Sequence, residues 1–78
     1  MLDLADVRAF LAVIDAGGLA RAGQRLTMSK SMLSRRLARL EERLGAPLLA
    51  RTTRGMSLTE AGQEFRPHAE RMVAEMQA

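Results

Sequence analysis

Leucines at positions 33, 37, 40 and 44, spaced four, three and four residues apart, fall on one narrow stripe of a helix and predict that this stripe is buried. An advance of about 100° per residue puts Ser31, Arg35 and Ala38 on the opposite side, with Ser34 and Arg39 flanking them. That outer face is short, basic and hydroxyl-bearing. It suits a groove of double-stranded DNA, where it can give hydrogen bonds to base edges and phosphates and leave room at Ala38 for a thymine methyl.

The segments around this helix follow from caps and periodicity. Asp3 is a candidate N-cap for a first helix over 3–16, with Leu2 and Val7 placed for a hydrophobic staple, and Leu4, Val7, Phe10, Leu11 and Ile14 repeat at helical spacing. Gly17 and Gly18 supply a left-handed stop. A short second helix over 19–26 turns Leu19, Ala22, Gly23 and Leu26 to one side and Arg21, Gln24 and Arg25 to the other. Gly23 costs about 1 kcal/mol of helix propensity against alanine, which implies close approach of another helix backbone. Ser29 caps the third helix, which spans 29–45 with its caps and stops at Gly45 before Pro47. Two short helices joined by a tight turn, the second facing outward, make a helix-turn-helix.

After Pro47 the period changes. Leu48-Leu49, a turn-like Thr-Thr-Arg-Gly at 52–55 and Met56-Ser57-Leu58 predict a small hairpin, a wing with Arg51 and Arg54 at or near its tip. Thr59 caps a fourth helix with an acidic start, and Ala61, Phe65, Ala69, Met72 and Met76 form its apolar stripe. So small a domain offers that stripe no evident internal partner, so these five residues are expected at a dimer interface. Pro67 removes one intrahelical hydrogen bond and predicts a bend. The fold class is therefore mainly α: a winged helix-turn-helix over 1–59, with a three-helix core and a hairpin wing, and the start of a linker or dimerisation helix over 60–78.

Charge sharpens the picture more than its total of +3. Residues 1–19 and 55–78 each carry net −2, whereas residues 20–54 hold nine cations against Glu41 and Glu42, net +7. A basic centre between acidic ends argues for one face meeting a polyanion. Glu41 and Glu42 would be repelled by phosphates and mark where the helix leaves the groove. No cysteine is present, which excludes disulfides and thiolate metal sites, and a single histidine, His68, offers no metal-ligand set. No Ser/His/Asp set or Gly-rich phosphate loop gives catalysis a foothold, so no enzyme activity, cofactor or metal is expected. The N-terminus lacks a signal-peptide pattern and no stretch approaches a membrane span, so a cytoplasmic, nucleoid-associated protein without membrane contact is expected.

The order of motifs resembles the N-terminal DNA-binding domain of LysR-type transcriptional regulators. The likeness is carried by Phe10-Leu11-Ala12-Val13, Ala16-Gly17-Gly18-Leu19, Leu33-Ser34-Arg35, Leu40-Glu41-Glu42-Arg43-Leu44-Gly45, Pro47-Leu48-Leu49 and Leu58-Thr59-Glu60-Ala61-Gly62, and it covers essentially the whole chain. It implies a bacterial, sequence-specific DNA-binding homodimer on an interrupted inverted repeat. A small-molecule inducer would act only through a C-terminal domain that this chain does not contain. Two departures stand out. Gly18-Leu19 replaces the usual serine and aromatic at the start of the second helix, and the usual Ser-Gln-Pro-Ala reads Ser29-Lys30-Ser31-Met32. Lysine for glutamine loses an amide suited to adenine and gains a donor suited to guanine or phosphate, so the target sequence cannot be copied from relatives.

The candidate DNA-binding residues are Arg21, Arg25, Ser29, Lys30, Ser31, Ser34, Arg35, Arg39, Arg51 and Arg54. Arg39 is expected at the DNA backbone and Arg54 at the minor groove. Arg21 and Arg25 lie on the helix that crosses the backbone in such motifs. Ser29 is either a cap alone or a cap that also touches phosphate, and Arg51 pairs either with a helix carboxylate or with phosphate. The rival reading is a winged-helix protein-interaction module that does not bind DNA. A membrane-surface role is disfavoured because the apolar face of the third helix is needed for the core and the fourth helix is acidic.

Overall fold

A computed structural model describes residues 2–53 and 55–77. The order of elements is α1 (Leu4–Ala16), α2 (Leu19–Leu26), α3 (Lys30–Leu44), β1 (Leu49–Thr52), β2 (Gly55–Leu58) and α4 (Glu60–Gln77). Asp3 caps α1 by accepting the Ala5 N–H at 2.9 Å, and Gly17 closes it in the left-handed region with its N–H on the Val13 carbonyl. Ser29 caps α3 by accepting the Met32 N–H at 3.1 Å, and left-handed Gly45 ends it. Thr59 does double duty, accepting from the Gly62 N–H at 3.0 Å while its hydroxyl donates to the Pro47 carbonyl at 2.6 Å. The wing is an antiparallel pair in which Leu49 faces Leu58 and Thr52 faces Gly55.

The core lies where α1, α3 and α4 meet. Val7, Phe10 and Val13 from α1 pack with Leu33, Leu37 and Leu40 of α3, and Leu48 closes one end. Each such side chain contributes on the order of 1.5–3 kcal/mol of burial. Leu44 departs from the expected buried stripe. It is 37% exposed on the last turn before Gly45, where it lines an open hollow with Leu48, Ala61 and Phe65.

The apolar stripe of α4 has an internal partner, which overturns the premise that it needed a second chain. Ala69 is fully buried, and the Phe65 ring packs on Phe10 with centroids 5.6 Å apart. Ala61 and Met72 are half-buried against the same core, and only Met76 is largely exposed, at 68%. Arg66 reinforces this docking through an ion pair to Asp15 of α1 at 3.0 Å. α4 runs as one helix through Pro67.

Two glycines sit where a side chain would collide with backbone. A Cβ on Gly23 would lie 2.6 Å from the Met28 carbonyl oxygen. What approaches Gly23 is therefore the turn that follows its own helix, not a neighbouring helix backbone. A Cβ on Gly62 would run into the Leu48 carbonyl oxygen, so α4 can start against the wing only with glycine there.

Candidate nucleic-acid interface

The α2–α3 turn fixes the presentation of α3. Thr27 takes a left-handed conformation with φ of 54°, and the Met28 N–H bonds the Gly23 carbonyl at 2.8 Å. With Gly23 tight against that turn and Leu33 fully buried below it, α3 is held by its inner face and Ser29 sits at its mouth. Lys30, Ser31, Ser34, Arg35 and Ala38 are all exposed on the other face. Arg21 and Arg25 are exposed on α2. Arg21, Lys30 and the exposed Arg51 of β1 line one open groove of about 430 Å³ between the Gly17–Gly18 turn, the start of α3 and the wing. Among the described residues no carboxylate is in ion-pair reach of Arg51, which leaves its guanidinium to solvent. Arg54 lies outside the described residues.

Arg39 has a different setting from the one expected. Its Nε donates to Asp6 Oδ2 at 2.7 Å and its Nη2 to Asp6 Oδ1 at 2.8 Å, a two-pronged pair, with Asp3 Oδ2 at 3.4 Å from Nη2. Arg36 adds a third bond to Asp6 at 3.3 Å. Asp6 is fully buried. The hydrogen bonds from Arg39 outweigh the penalty of burial and hold its carboxyl below the usual aspartate range, and the same pairing raises Arg39. Neither Asp6 nor Arg36 is singled out by the caps, periodicity or charge pattern described above. A signal was present: Asp6 stands three, four and seven residues before Ala9, Phe10 and Val13, so a carboxylate occupies a position of the buried face.

Glu41 was also more than a repelled carboxylate. Its Oε2 accepts the backbone N–H groups of Leu48 and Leu49, at 2.6 and 3.2 Å, and so pins the entry of the wing to α3. Met32, at 41% exposure, joins Arg35, Arg36 and Arg39 around an open hollow of about 310 Å³ on the outer side of α3. The described residues contain no cluster of side chains that could hold a metal ion, and no helix among them is long and apolar enough to cross a membrane.

Among the described residues, four helices, a tight turn before an exposed third helix and a two-stranded wing define a winged helix-turn-helix protein. The pattern described as "Bacterial regulatory helix-turn-helix protein, lysR family" matches residues 4–63, and the chain belongs to that family. The HTH-type transcriptional regulator CrgA of Neisseria meningitidis serogroup B is 44% identical over 73 residues, which is 94% of this chain and 24% of CrgA. The chain thus spans about a quarter of the length of such curated relatives. Among solved structures, the CbnR_DBD–DNA complex aligns with a TM-score of 0.90 at 36% identity, covering 96% of this chain and 86% of that one. The BenM_DBD/benA site 1 DNA complex aligns at 0.89 with 31% identity, covering 96% and 87%.

Proposed function

We propose that this chain is a sequence-specific DNA-binding domain of a bacterial LysR-type transcriptional regulator, with the first half of α3 in the major groove and the wing at the flanking minor groove. The observation that carries this reading is the exposed set of Lys30, Ser31, Ser34 and Arg35, without side-chain partners among the described residues, on a helix gripped from behind by Leu33, Leu37 and Leu40. Relatives of the same fold solved as DNA complexes support it. Arg35 and Lys30 would read base edges, Ser31 and Ser34 would adapt their hydroxyls to bases or phosphates, and Ser29, Arg21, Arg25, Arg51 and Arg54 would hold the backbone. A protein-interaction module would need an apolar or acidic outer face on α3, and this one is cationic.

Residues 60–78 would begin the dimerisation helix. Met72 and Met76 line an open apolar hollow with Leu2, Leu4 and Val7, a surface that a second copy would cover, while Ala61, Phe65 and Ala69 support α4 from within. Two recognition helices related by a two-fold axis would meet an interrupted inverted repeat with half-sites about one helical turn, or a multiple, apart. The protein would act in the cytoplasm at the nucleoid, without catalysis, and answer to an inducer through a domain outside this chain.

Selection of sites from a random DNA pool, followed by titration at several salt concentrations, tests the reading. The expected result is an inverted repeat bound at least about a hundredfold tighter than scrambled DNA. The log–log salt slope should be about −0.9 per phosphate neutralised. Equal binding of both DNAs, or a slope near zero, would overturn it.

A further inference from the structure

Asp6, on the buried face of α1, meets Arg36 and Arg39 of α3, and we infer that this carboxylate is a positioning residue for DNA binding, setting Arg39 beside Arg35 and Arg36 as a seat for one backbone phosphate. The inference rests on the DNA-binding reading and adds a site to it. Arg39 spends Nε and Nη2 on Asp6, which leaves Nη1 with two N–H donors outside the pair, and its side chain remains 45% exposed. The three guanidiniums and Met32 surround the open hollow on the outer side of α3. Arg36 Nε is buried without a hydrogen-bond partner, so the cluster is still short of acceptors. Charge says the same: Arg36 and Arg39 pair with Asp6 and Asp3, while Arg35 at the rim of the same hollow has no ion-pair partner among the described residues, an excess of one positive charge that a phosphodiester's single negative charge would match.

Asp6 supplies what a bare arginine stripe lacks. Arg35, Arg36 and Arg39 lie within one turn of helix and repel one another, and a free arginine must surrender much rotamer freedom to grip an anion. A guanidinium already locked by two hydrogen bonds to a buried carboxylate has surrendered it on folding. Arg39, at the far end of the seat, lies four residues beyond Arg35 on the same helix, where the groove gives way to the backbone, so the seat would fix how deeply α3 enters.

The test titrates the unaltered chain, Asp6→Asn, Arg39→Lys and Lys30→Ala against the selected site by fluorescence anisotropy at several salt concentrations, at a temperature where circular dichroism shows each folded. Asp6→Asn should weaken binding by about tenfold. Arg39→Lys should also weaken it, and should make the salt slope shallower by about 0.9 per bound chain. Lysine keeps the ion pair with Asp6 but has no second prong for phosphate, so a purely structural role would be rescued by it. Unaltered affinity and slope in Arg39→Lys would overturn the proposal, as would a folded Asp6→Asn that binds as tightly as the unaltered chain or tighter. If Asp6→Asn does not fold, Arg39→Lys decides alone. Lys30→Ala lies outside the seat and separates the two levels: its loss of affinity with the seat variants unaffected sinks the seat only, and no preference of the unaltered chain for any site sinks the DNA reading and the seat together.

Discussion

The two halves of α3 are built from the same kinds of residue and use them in opposite ways. In the first half, Lys30, Ser31, Ser34 and Arg35 are exposed, and among the described residues neither cation has an ion-pair partner. In the second half Arg36 and Arg39 turn to Asp6, and Glu41 turns to the N–H groups of Leu48 and Leu49. The difference comes from the neighbours. The second half lies against the start of α1 and the entry to β1, which bring a buried carboxylate and two backbone donors that must be satisfied. The first half projects from the turn after α2, and of its polar side chains only the Ser29 cap has an internal hydrogen bond among the described residues. Charge counted along the chain weighs all nine central cations alike, whereas the fold sets at least two of them to internal work.

The contrast breaks most visibly along the leucine stripe. Leu33→Ala, at a fully buried site, should cost about 2–5 kcal/mol, comparable to the whole stability of so small a core. Leu44→Ala, at the exposed end of the same stripe, should change stability by no more than about 0.5 kcal/mol. Thermal melts of the two proteins check both. Glu41→Ala comes next, at about 2–3 kcal/mol, because it strips two charge-assisted acceptors from backbone donors. Hydrogen exchange at the Leu48 and Leu49 amides should quicken in that variant before the rest of the core responds.

Those fates were legible to different degrees. Helix limits came from short-range chemistry, as Asp3, Gly17, Ser29 and Gly45 each cap or stop a helix through atoms within a few residues of one another. The outward face of α3 followed from periodicity. The missed features all join residues distant in sequence: Asp6 with Arg36 and Arg39, Glu41 with Leu48, Gly62 with the Leu48 carbonyl, Phe65 with Phe10. Periodicity announces that Ala61, Phe65 and Ala69 need cover but not which surface gives it, and α1 turned out wide enough to serve both α3 and α4.

On the reading half, Arg35→Ala should leave stability within about 0.5 kcal/mol of the unaltered chain while costing about 1–3 kcal/mol of binding to the selected site. A melt that moves with it would place Arg35 with the structural half. The acid limb probes the other half. Because the folded state holds Asp6 below its usual range, its contribution is fully present above the unfolded value and is lost as pH falls through the lower folded one. Stability should therefore hold through this group above about pH 5 and decline below about pH 4, and Asp6→Asn should flatten that decline. An equally steep acid limb in Asp6→Asn would assign the effect to other carboxylates.

Ser29 stands on the border between the halves, and the effect expected there is small. Its oxygen accepts the Met32 N–H at 3.1 Å at an exposed helix end, where water can replace it, so Ser29→Ala should cost only about 1 kcal/mol. The hydroxyl proton is not consumed by that cap and is free to go to a phosphate at the start of the helix. Ser29→Asp separates the two roles: the carboxylate caps as well as serine and suits the positive end of the helix dipole, but it would repel DNA. Melts should return to the unaltered value while affinity falls further than in Ser29→Ala. If Ser29→Asp instead binds the selected site as well as the unaltered chain does, Ser29 is a cap alone, and the reading half of α3 starts at Lys30.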